Sequence, residues 1–204
     1  MRAVLALAVI VLVTGVFGMS QISPVMSKTK LTKMRLVNQM ASEIDFTKNR
    51  LKKWEGRVGK AVIEPYQLEY EYEDKDGKTI KVKEDFFTGG YGHRILKGEK
   101  VPEEGYTEQY WEGVFDKDFE TAYDGALKLL GKDANAKALG VLTEMIFQIG
   151  YDGVANPDTG FDKTLTYMKN GLWELASVEM LDSTWAIQTN RRAVELSKLM
   201  AKIR

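Results

Sequence analysis

Two short stretches carry residue types suited to acid–base chemistry. The first, Leu51-Lys52-Lys53-Trp54-Glu55-Gly56, closes a helical pattern with a carboxylate followed at once by a helix-stopping glycine. The second, Thr88-Gly89-Gly90-Tyr91-Gly92-His93, sets a hydroxyl before three glycines, a backbone able to lie close to a ligand. A carboxylic acid at a helix end, facing a hairpin across a cleft, can be held partly out of water as a general acid of glycoside cleavage. Either half alone also reads as an ordinary surface feature, a solvated glutamate or a glycine turn.

The totals exclude several other chemistries. There is no cysteine, so thiol nucleophiles, disulfide frameworks and cysteine-held zinc are ruled out. His93 is the single histidine, which argues against a histidine metal cluster or a Ser-His-Asp triad. No metal and no cofactor are expected. The 29 basic and 29 acidic residues cancel, so no global field favours nucleic acid. With 204 residues, 44% of them hydrophobic, the chain can build one cored domain with an N-terminal appendage.

The elements that must position Glu55 and Thr88 begin after that appendage. Residues 3–27 carry no charge, and Ala3 to Phe17 is a dense Val/Leu/Ala run behind Arg2. This reads as a signal-peptide core or a short membrane span. Lys28, Lys30, Lys33 and Arg35 follow directly, a bias that opposes translocation of what comes after. Leu31, Met34, Val37, Ala41 and Ile44 then recur at a helical period. Asp45-Phe46-Thr47 offers capping residues before a second helix from Lys48 to Trp54. The expected division is a signal or anchor over 1–27, a linker helix over 28–47 and a catalytic domain over 48–204.

Between the two stretches the period changes. Leu68, Tyr70 and Tyr72 alternate with Glu69, Glu71 and Glu73; Asp74-Lys75-Asp76-Gly77 follows; Thr79, Ile80 and Val82 then lie amid Lys78, Lys81 and Lys83. This predicts a β-hairpin with an Asp-Gly turn, an acidic strand facing a basic one. Beyond Gly105 the pattern is helical. Thr107 caps a helix that Gly131 stops, and Ala136 to Ile149 forms a central buried helix stopped by Gly150. Further helices are expected at about 162–169, 172–181 and 190–202. The fold class is therefore α+β, a small hairpin lobe beside a larger helical lobe with a cleft between them.

Four separated motifs, in order over roughly residues 48–204, resemble the phage-type lysozymes, a muramidase family of glycoside hydrolase family 24. They are Glu55-Gly56; Thr88 through His93; Met145-Ile146-Phe147-Gln148-Ile149-Gly150 with Gly153-Val154-Ala155 and Gly160-Phe161; and Trp185-Ala186-Ile187-Gln188-Thr189-Asn190-Arg191-Arg192-Ala193. Asn190 stands where the family usually has proline.

The resemblance implies a lysozyme-like fold and a monomeric endolysin. Such an enzyme hydrolyses the β-1,4 bond between N-acetylmuramic acid and N-acetylglucosamine of peptidoglycan, for host-cell lysis or entry. It would act in the host periplasm or cell wall, exported or tethered to the membrane through residues 3–27. The resemblance also implies Glu55 as general acid, Thr88 holding the attacking water, Gln148, Phe161 and Gln188 on the sugar, and Arg192 and His93 in support. The family's aspartate base has no clean counterpart. The hairpin looks like an insertion whose tip stands roughly 20 Å from its base at about 3.3 Å per residue. That disfavours Asp74 and Asp76 and leaves Glu69, Glu84 and Asp85, of which Asp85 lies nearest Thr88 and is chosen. A non-catalytic, wall-binding protein that retains the fold is the alternative function.

Overall fold

The computed structural model describes residues 28–56, 64–73, 78–95, 98–99, 107–157 and 161–204; for 28, 64–73 and 82–87 it describes the backbone alone. The expected anchor over 1–27 and the turn at 74–77 lie outside the described residues. Among the described residues no helix is long and apolar enough to cross a membrane.

The first helix, α1, runs unbroken over Lys28–Glu55. This corrects the expectation of two helices separated at Asp45-Phe46-Thr47. The segment holds no glycine or proline, and Asp and Thr inside a helix cost only a few tenths of a kcal/mol each, ~0.7 at most. Thr47 does not leave the helix to cap it. It is buried on the face that meets the next long apolar helix, where a Cβ added at Gly140 would stand 2.6 Å from its Oγ1. The expected domain boundary at 47/48 thus falls within one continuous helix.

A three-stranded antiparallel sheet follows, β1 (Glu64–Glu73), β2 (Thr79–Gly89) and β3 (His93–Arg94), in that order. The register sets Glu69 opposite Lys83 and Glu71 opposite Lys81, the pairing that the alternation of acidic and basic residues predicts. At its other end, Thr88 and Gly89 pair with Arg94 and His93 around a turn in which Gly90 (φ 57°) and Gly92 (φ 81°) take up left-handed backbone.

The rest is helical. α2 (Glu108–Leu130) starts at Thr107, whose hydroxyl accepts from the Tyr110 N–H at 3.2 Å, and stops at Gly131. α3 (Ala136–Ala155) is capped by Asn135 and kinks at Gly150 (φ 76°), where the sequence predicts its end. α4 (Asp162–Lys169), α5 (Trp173–Glu179), α6 (Thr184–Thr189) and α7 (Arg191–Ala201) complete the chain. The short α6 is an addition to the expected elements.

The main core gathers Leu139, Leu142 and Met145 of α3 with Met180, Leu196 and Met200. A second cluster, Leu51 with Phe115 and Phe119, fastens the end of α1 to α2. This is an α+β architecture, mostly helical with a small antiparallel sheet, as expected.

Candidate active site

Glu55 is the last residue of α1, and the chain leaves the helix at Gly56 with φ 79°. Its side chain is 21% exposed, and its Oε1 accepts a hydrogen bond from Arg192 Nη1 at 2.7 Å. The Arg192 guanidinium, near the start of α7, also stands over the Trp54 ring at 5.9 Å. On the other side of Glu55 lies the turn between β2 and β3. A Cβ added at Gly92 would come within 3.1 Å of Glu55 Oε2, so the missing side chain is what lets this turn approach the carboxylate.

The turn itself is clamped. Tyr91 donates its hydroxyl proton to Glu112 Oε1 at 2.6 Å, while Lys52 of α1 pairs with the other oxygen of Glu112 on α2. The Lys52 and Tyr91 hydrogen bonds, in that order, hold the Glu112 carboxyl below the ordinary carboxylate range. Gly89 and Gly90 rest against the Trp111 ring, which leaves no room for a side chain at either position.

Gly92 borders a groove of about 610 Å³, lined also by Thr88, His93, Asp118, Phe147 and Gln148. The structure therefore brings Thr88, His93 and Gln148 to one groove, with Glu55 and Arg192 at its Gly92 edge. Both ends of the Gln148 amide are engaged: Nε2 donates to the Glu144 carbonyl at 2.8 Å, and Oε1 accepts from Trp185 Nε1 at 3.2 Å. His93 presents Nδ1 to Asp118 at 2.7 Å and Nε2 to Glu99 at 3.2 Å. The hydrogen bond to Asp118, above all, raises its pKa against the opposing effect of burial. A ring held by two carboxylates is suited to the protonated state, donating twice.

Other expected site residues stand apart. Phe161 is only 2% exposed, with its ring edge-on to Trp185 at 5.9 Å; it belongs to the core and offers no surface to a sugar in this conformation. Gln188 is exposed on α6 and is not among the residues lining the groove. The Asp85 side chain lies outside the described residues. Its backbone pairs with Gln67 in the β1–β2 ladder, and that of Glu84 with Leu68.

A buried ion pair behind Glu55 is absent from the expected set. Glu144, 2% exposed in the middle of α3, accepts from Arg50 Nε at 2.9 Å. Burial raises the Glu144 pKa, with Arg50 and then Arg192 pulling it down. The signal was present in the sequence, since a glutamate inside Leu142-Thr143-Glu144-Met145-Ile146 has to find a cation if that run is buried. Among the described residues no group of three or more His, Asp or Glu side chains could hold a metal.

No family model matches the chain. A curated relative, "Probable T4-type lysozyme 2" of Dictyostelium discoideum, is 29% identical over 122 residues. The match covers 57% of this chain and 66% of the relative, a little under two thirds of its length. Together with the helical architecture and its small antiparallel sheet, this makes the chain similar to a T4-type lysozyme.

Proposed function

We propose that the protein is a muramidase that cleaves the β-1,4 bond between N-acetylmuramic acid and N-acetylglucosamine in peptidoglycan. The observation that carries this reading is the setting of Glu55. It is a partly exposed carboxyl at a helix end, held by Arg192 at 2.7 Å and touching a glycine turn that borders a groove. The likeness to a T4-type lysozyme supports it.

In this reading Glu55 gives its proton to the glycosidic oxygen as the bond from that oxygen to the anomeric carbon breaks, and the bonding electron pair stays with the leaving oxygen. A water held by the Thr88 hydroxyl adds to the oxocarbenium-like carbon, and a carboxylate takes one of its two protons, leaving the new sugar hydroxyl. Asp85, three residues before Thr88, is the first choice for that carboxylate and Glu84, next to it at the base of the hairpin, the second. Gln148 is a sugar contact, with its amide fixed by Trp185. His93 keeps the β3 side of the groove attached to α2 through Asp118. The apolar run over 3–27 would bring the enzyme to the envelope of a bacterial host as a monomeric, exported or tethered endolysin.

The test is clearance of permeabilised Gram-negative cells, followed by turbidity. Wild-type protein should clear them, and Glu55→Gln should lower the rate by about 10²–10⁴-fold with an unchanged circular dichroism spectrum. Clearance by the variant at the wild-type rate would defeat the assignment. A wild-type protein that sediments with walls and leaves them intact would instead identify a wall-binding protein.

A further inference from the structure

A general acid seated beside a guanidinium faces a conflict, because an arginine in direct contact favours a carboxylate over a carboxylic acid. Arg192 makes that contact with Glu55 at 2.7 Å. The structure also contains a second carboxylate for it. Glu144 lies behind the site on α3, which packs against both α1 and α7. One of its oxygens is taken by Arg50; among the described residues the other, Oε2, is buried without a hydrogen-bond partner. Arg192 Nε and Nη2 are likewise buried and without partners there. The donors and the acceptor complement each other, and Arg192 lies close enough to Glu144 for its charge to be felt.

Arg50 holds one competing donor for that oxygen, since its Nη2 is also buried without a partner among the described residues, while its other groups are engaged. Arg50 bridges to Glu195 of α7 at 3.7 Å, and Glu195 also pairs with Arg191. Glu43 of α1, nearby, lies under the charges of Lys137 and Arg50, with its pKa raised by burial.

We propose that Glu144 is a positioning residue for the reaction, the alternate seat of the Arg192 guanidinium. Arg192 leaves Glu55 when that carboxyl takes a proton from solvent, and returns once the proton has passed to the leaving oxygen. The inference rests on Glu55 as the general acid. Arg192 stays among buried neighbours and trades one carboxylate for another, so no unpaired charge is left in the interior at either end.

The deciding experiment is a crystal structure of the full chain carrying Glu55→Gln, a neutral side chain of the shape of the protonated acid. The expected result is the Arg192 guanidinium hydrogen-bonded to Glu144 at about 2.7–2.9 Å. Arg192 still bonded to side chain 55 would overturn the proposal. This readout needs no activity, so it stands apart from the clearance assay that tests the muramidase reading.

For a lytic wild-type protein, steady-state kinetics give a second measure. Arg50→Gln with Glu144→Gln removes the buried pair without leaving one charge alone, and kcat should fall by about tenfold with KM unchanged. Glu144→Asp, which keeps the charge, should stay near the wild-type kcat. A folded double variant with an unchanged kcat would also count against the proposal.

Discussion

Gly92→Ala separates two costs that the site imposes on one residue. The backbone there has φ 81°, and an L side chain in the left-handed region costs about 1–2 kcal/mol. The added methyl would also stand 3.1 Å from Glu55 Oε2, so the carboxylate must move by a few tenths of an ångström against its 2.7 Å bond to Arg192. For a chain of this size the first cost lowers the melting temperature by about 2–8 °C. The second should appear in catalysis. A misplacement of about 1 Å costs on the order of 10²-fold, and a few tenths on the order of tenfold.

Gly131→Ala is the control. Its φ is 89° with ψ 160°, a region nearly reserved for glycine, so it too pays a backbone cost, but nothing lies within 4 Å of the new methyl. Thermal melts and initial clearance rates of both variants, measured well below their melting points, give the two terms. If Gly92→Ala is no slower than Gly131→Ala, the methyl does not reach the acid and the placement of Glu55 against the turn is wrong.

The remaining predictions concern charge and location. His93 has a raised pKa, so its ion pairs stabilise fully below the ordinary imidazole value of about 6.5 and fade as the pH rises through the higher native value. Asp118→Asn should therefore cost about 1.5–3 kcal/mol near pH 5 and progressively less at alkaline pH; a gap between the melting curves that does not change with pH would contradict this. Asp85→Asn and Glu84→Gln should differ in clearance rate, the true base losing activity by about 10²–10⁴-fold and the other residue little. Two fully active variants would exclude both. Cell fractionation should recover the full chain with membrane or periplasm and a chain starting near Ser27 as soluble, folded protein; a purely cytosolic full-length pool would contradict the targeting reading.

Features that depend on neighbouring residues were legible in the sequence. The Thr107 cap and the Gly131 stop are local chemistry, and both are where the sequence expects them. The register of Glu69 and Glu71 with Lys83 and Lys81 follows from alternation. Asp45-Phe46-Thr47 misled because capping residues end a helix only where the backbone leaves helical angles, and nothing in that segment forces it to. Helix α6, at Thr184–Thr189, is too short to show a period.

The pairs that build the site were harder to see. Arg50 and Glu144 are 94 positions apart, and His93 and Asp118 are 25 apart, so neither pair has a local signature. Phe161 illustrates the converse: its place in a motif said nothing about which of its surfaces the core would cover.

The continuity of α1 has a mechanical consequence. At about 1.5 Å per residue its 28 residues make a rod roughly 40 Å long, with Glu55 at one end and Lys28 at the other. The outer part of this rod projects Leu31, Met34, Leu36 and Val37 into solvent, while the inner end is bolted to α2 and α3. A flexible linker would let the acid wander about its point of attachment. A rod acts as a spacer, so whatever holds the chain ahead of Lys28 also sets the reach of Glu55, and shortening α1 by whole turns would draw the acid toward that point in steps of about 5.4 Å.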